Sequence, residues 1–168
     1  MLAVLVGAAC GGGDSVEKVD ADDWVDDICA STEEMAESED EAVNAYYDVE
    51  SDDPDEIRDG FGEYVEIYSK ALDRFARNAE RSGEPDIDKG DKVAEAVQLW
   101  VEEEKKNIER AERGTRDLDT VDEIDAAFEA IKLADFLEFL EDTESNDLND
   151  IVEAFDEIED CSRFLFVD

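Results

Sequence analysis

Apolar residues recur along this chain at the three-to-four-residue spacing of an α-helix, and no run of period two is long enough to predict a strand. A first helix is predicted from 20–23, where acidic side chains suit a helix N-terminus. Its buried face carries Trp24, Ile28, Met35, Ala42 and Tyr46, with Cys29 beside Ile28 on the edge. The wholly polar stretch 37–41 predicts a bend or a frayed turn there. The second helix has the sharpest limits. Asp53 caps it, Pro54 takes the first helical position and Glu56 completes a capping box. Ile57, Phe61, Tyr64, Tyr68, Leu72, Phe75 and Ala79 then form one stripe over six turns. Gly83 followed by Pro85 ends it, as a left-handed cap and then a breaker.

A third helix follows an acidic cap within 88–91, with Val93, Val97, Trp100, Val101, Ile108 and Ala111 as its stripe and Gly114 as a stop. Thr120 and Glu123 make a capping box for a fourth helix. Its apolar set is wide: Ile124, Phe128, Ile131, Leu137 and Leu140, with Leu133, Phe136 and Phe139 besides. A helix apolar on more than one face is either central or carries a contact patch. Asn146 or Asp147 caps a last helix holding Leu148, Ile151, Val152, Phe155 and Ile158. Cys161 and the apolar tail 164–167 follow. Each stripe needs an apolar partner and the connections are short, so consecutive helices are expected to pack antiparallel. The expected fold is all-α, an antiparallel up-down bundle of four to five helices.

The N-terminus has a different character. M-L-A-V-L-V-G-A-A-C-G-G-G-D-S is an uncharged apolar run ending in small residues, a cysteine and a Gly-rich polar stretch. That order matches the processing end of a secretory signal, and the cysteine after the small pair indicates a lipoprotein signal with Cys10 as the lipidated residue. Gly7 stands where such signals usually carry Leu, and no Lys or Arg occurs before Lys18. A start codon assigned too far downstream, or a trimmed N-terminus, is the expected cause of the missing basic region. The alternative is an apolar N-terminus on a cytosolic protein. The run is shorter than the 20 or so apolar residues that span a bilayer. The chain thus divides into a signal remnant at 1–9, the lipid-attachment Cys10 with a flexible tether at 10–19, and an acidic helical domain at 20–168.

Charge narrows the function. The 168 residues carry 53 Asp and Glu against 15 Lys and Arg, a net charge of −38, with no His. Such a surface repels nucleic acid and anionic headgroups. It also repels itself, an effect that salt screens over about 8 Å at physiological ionic strength. This density of carboxylate fits adaptation to a saline environment, where it keeps a protein hydrated; solvated helix faces in an ordinary acidic protein are the alternative. Three cysteines is an odd number. With Cys10 lipidated, Cys29 and Cys161 remain as a disulfide pair for an oxidising compartment, near opposite ends of the mature chain. Two buried free thiols are the alternative.

Catalytic patterns are lacking. Without His there is no Glu-x-x-His di-iron site, no Ser–His or Cys–His nucleophile and no His-ligated zinc. The run Asp86-Ile87-Asp88-Lys89-Gly90-Asp91 lacks the remaining ligands of a calcium loop, and helix capping accounts for it better. Paired carboxylates could do acid–base work, yet among so many no pair stands out. No cofactor or metal is expected, and the chain is not expected to be an enzyme. The aromatic stripe of the second helix is core by default and a ligand pocket by alternative.

The succession A-A-C-G-G-G-D, D-D-W-V-D-D-I-C, S-G-E-P-D-I-D-K-G and a cysteine after a C-terminal acidic helix resembles a group of small actinobacterial secreted lipoproteins. The resemblance implies a helical, exported domain with Cys10 acylated and Cys29 paired with Cys161, and it supplies no catalytic residues. The expected function is a lipid-anchored module on the outer face of the cell membrane, meeting a cationic or apolar protein partner and no nucleic acid. The alternative is a carrier holding a lipid or small apolar ligand inside the bundle.

Overall fold

The start of the second long helix illustrates how local chemistry sets the elements. Asp53 is extended, its carboxylate accepts from the Asp55 N–H, and Pro54 supplies the first helical φ. In the computed structural model, which describes residues 17–132, 134–157 and 161, six helices occur among the described residues. Three are long: α1 (Ala21–Tyr47), α2 (Pro54–Arg81) and α3 (Gly90–Thr115). Three are short: α4 (Val121–Glu129), α5 (Phe136–Glu141) and α6 (Leu148–Glu157). Cys10, Leu133 and the tail 164–167 lie outside the described residues.

The predicted stripes are the core. Every stripe residue named for α1 and α2 is buried, and in α3 Val93, Val97, Trp100, Val101 and Ile108 are buried too. Cross-links between helices give their direction. Tyr46 packs on Phe61, Arg74 donates to Ser38 Oγ at 2.7 Å and the Trp24 indole donates to the Gly83 carbonyl at 3.2 Å. Residues late in α1 therefore meet residues early in α2, and the two helices run in opposite directions. Tyr68 with Glu104, Phe75 with Trp100 and Ala76 with Gln98 reverse α2 and α3 in the same way.

Four expectations need correction. First, α1 does not fray at 37–41: it is helical throughout. Ser38 is buried there, held by Arg74 and donating to the Glu34 carbonyl at 3.0 Å. Second, the fourth helix is two helices, which raises the total from the expected four or five to six. Ala134 is fastened to α3 through both backbone groups: its N–H donates to Glu104 Oε2 at 2.6 Å and its carbonyl accepts from Trp100 Nε1 at 2.8 Å. In a continuous helix those groups would belong to the helix's own ladder. Asp135 then caps α5, accepting from the Leu137 N–H.

Third, no carboxylate caps α3. Lys89 holds that position in the left-handed region, at φ 53°, and makes no side-chain cap bond. A Cβ on the next residue, Gly90, would sit 1.9 Å from the Pro85 carbonyl oxygen, so this corner requires glycine. Asp88 instead fastens the loop before α6. Its Oδ2 accepts from Asn146 Nδ2 at 2.7 Å and its N–H donates to Asp147 at 2.9 Å. Fourth, a strand pair exists: β1 (Lys18–Val19) runs parallel to β2 (Glu84–Pro85). The end of the segment read as tether is thus paired against the loop after α2, where Gly83 at φ 77° leaves room for Glu17.

Candidate functional site

The feature that departs most from a plain helical core is a carboxyl group inside it. Glu104 occupies a stripe position of α3, between Val101 and Ile108, and is fully buried. Burying a charge without a close opposite charge is costly, so such a group either finds partners or takes up a proton. Glu104 does both. Tyr68 donates to its Oε1 at 3.3 Å, and the Ala134 N–H holds its Oε2. Burial pushes its pKa up to about 7, and Glu39 across on α1 adds to the rise; the bonds from Ala134 and Tyr68 pull the other way. The same neighbourhood raises Glu39, by burial first and then by Asp40, and lifts the Tyr64 and Tyr68 hydroxyls. The chemical capacity of this cluster is to hold one proton near neutral pH in an interior that solvent does not reach.

The surface offers a second feature. A cleft of about 390 Å³ opens at the turn between α1 and α2, lined by Tyr46, Tyr47, Glu50, Asp52, Ile57 and Asp125 among others. Tyr46 is anchored there, stacked on Phe128 at 4.1 Å, with its hydroxyl donating to Asp125 Oδ1. Burial and the Asp125 carboxylate together raise that hydroxyl. Tyr47 is 61% exposed beside it. The cleft presents carboxylates around an exposed ring, a combination that suits positive charge.

Comparison with protein-family models, curated proteins and solved structures finds no match. The residues must therefore speak for themselves. Among the described residues, no three His, Cys, Asp or Glu side chains gather to hold a metal ion, and no helix is long and apolar enough to cross a membrane.

The predicted cysteine pair is brought together. Cys29 and Cys161 form a disulfide with Cα atoms 5.3 Å apart across a sequence separation of 132. Cys161 is fully buried, with Thr32 Oγ1 3.7 Å from its sulfur. Cys10, the predicted lipidation site, lies outside the described residues. The aromatic stripe of α2 fills the space between helices: Phe61 packs on Tyr64, Tyr64 on Tyr68, and Phe75 edge-on to Trp100. Sequence reasoning missed Glu104 and Glu39, although the signal was present. The α3 stripe runs from Val101 to Ile108 with an acid where an apolar residue belongs. Glu39 likewise falls in register between Met35 and Ala42.

Proposed function

We propose that the chain is a lipid-anchored, extracytoplasmic interaction module without catalytic activity, displaying an acidic helical domain to a cationic protein partner. What carries the reading is the Cys29–Cys161 pairing, which leaves Cys10 as the odd cysteine, in the small-residue context of a lipoprotein signal. A disulfide fits an oxidising compartment and a folded, exported domain. The displayed domain is read as an antiparallel up-down bundle in which α4, α5 and α6 share the positions beside the three long helices. Excess carboxylate covers its surface, and the Tyr46–Tyr47–Asp125 cleft is the point at which a Lys or Arg side chain would be received. The packed ring contacts along α2 favour this module over a carrier with a ligand in the bundle interior.

The test uses the chain expressed behind a complete signal sequence. The protein should fractionate with membranes and carry lipid on Cys10, and Cys10→Ala should lose the lipid and either leave the membrane fraction or remain unprocessed. Two acyl chains suffice for stable anchoring, at about 0.8 kcal/mol per buried CH₂. A soluble cytoplasmic protein that retains Met1 to Ala9 would contradict the proposal.

A further inference from the structure

Ala134, between α4 and α5, is gripped on both backbone groups by α3, and one of the two grips is an ionisable carboxyl. We propose that Glu104 is a proton-operated latch: with its carboxyl neutral, Ala134 and the following α5 are held closed on α3, and ionisation loosens them.

Geometry carries this. Glu104 is fully buried, and the groups facing it are Tyr64 and Tyr68 from α2, Glu39 from α1 and the Ala134 N–H from the connection. The Tyr68 hydroxyl and the Ala134 N–H each bond one carboxyl oxygen, yet neither carries a positive charge to offset that of an ionised carboxylate in a buried site. A second negative charge beside Glu39 is worse served and draws water toward it. Water enters most easily where least is buried. The α2 side is closed by Tyr64, Tyr68 and Leu72, all buried. The connection side is thin: Ile131 and Leu137 are only partly covered, and a surface cleft of about 340 Å³ already lies against Ala134, lined by Glu103, Asn107, Asp135 and Glu138. Loosening that side joins the cleft to the buried carboxylate and hydrates it. Burial also places the titration near neutral pH, so a modest change in surroundings moves the latch.

The two indole N–H groups provide a paired readout in the intact protein. Trp100 Nε1 donates to the Ala134 carbonyl and reports the latch, while Trp24 Nε1 donates to the Gly83 carbonyl and reports a distant part of the fold. Solvent exchange of both is followed by NMR from about pH 6 to about pH 8.5. Because base catalysis acts on both, their ratio is the measurement. The ratio of Trp100 to Trp24 exchange should rise roughly tenfold or more across this range, tracking the ionised fraction. Glu104→Gln, which keeps an acceptor for Ala134 and cannot ionise, should hold the ratio flat. Tyr68→Phe keeps the latch but removes a donor that favours the anion, so its rise should move to higher pH. A flat ratio in the unaltered protein, the same rise in Glu104→Gln, or an unmoved midpoint in Tyr68→Phe would each overturn the proposal.

Discussion

The three long helices and the three short ones are held by different physics. In α1 and α2 a single apolar stripe is buried against its neighbours over about six turns, and in α3 over about four; apolar burial itself does not titrate. The region after Thr115 has fewer buried apolar residues and more discrete fastenings. Ala134 is gripped by Glu104 and Trp100, the 144–147 loop by Asp88, and the end of the chain by Cys161 bonded to Cys29. Phe155 of α6 does pack edge-on to both Trp24 and Phe136. A region stabilised by distributed burial loses everything or nothing. A region stabilised by a few bonds can be released one bond at a time.

Phe61 tests the first half of this contrast and should show the largest effect. It is fully buried, touching Tyr46, Tyr64 and the Phe128 ring. Phe61→Ala should cost about 3–5 kcal/mol in chemical denaturation, with all regions unfolding together. Reduction of Cys29–Cys161 comes next, worth a few kcal/mol and up to about 4–5 in the chain-entropy picture. Its loss should be uneven: exchange protection in α6 should fall well before that in α2. Equal losses in both would show that the bond stabilises the whole chain and not its C-terminal part.

Glu104 gives an effect of comparable or smaller size that depends on pH. Its folded pKa lies above its unfolded value, so the folded state binds the proton more tightly. The resulting stability is complete below about pH 4.5, declines as pH rises to about 7, and is absent above that. Over the whole window it is of order 3 kcal/mol. Subtracting the denaturation profile of Glu104→Gln from that of the unaltered protein isolates this contribution. The difference should favour Glu104→Gln increasingly toward alkaline pH. Asp88→Ala is the smallest change. It removes exposed hydrogen bonds to Asn146 and should cost about 1 kcal/mol, felt in the 144–147 loop and α6 and not in α2.

The same contrast explains what the sequence disclosed. The long helices were legible because each carries its own stripe and α2 its own boundaries as well: Asp53 and Pro54 open α2, and Gly83 closes it. The cysteine pairing was legible from number and position. The short half was not, because its structure depends on contacts remote in sequence. Periodicity alone runs from Ile124 to Leu140 without a break. The break comes from α3 claiming the backbone of Ala134, which no local pattern announces. The start of α3 was misread for a related reason. Asp88 is a good capping residue by type, but the loop at 144–147 uses it instead.

The most direct test of the two-part account is native-state hydrogen exchange on the disulfide-intact protein, resolved by residue across a series of low denaturant concentrations. Amides of 134–157 should open in a sub-global step at lower free energy than those of 61–75 and 93–108, and reductant or alkaline pH should lower the first set well before the second. A single opening free energy shared by both sets, moving together under every condition, would contradict it.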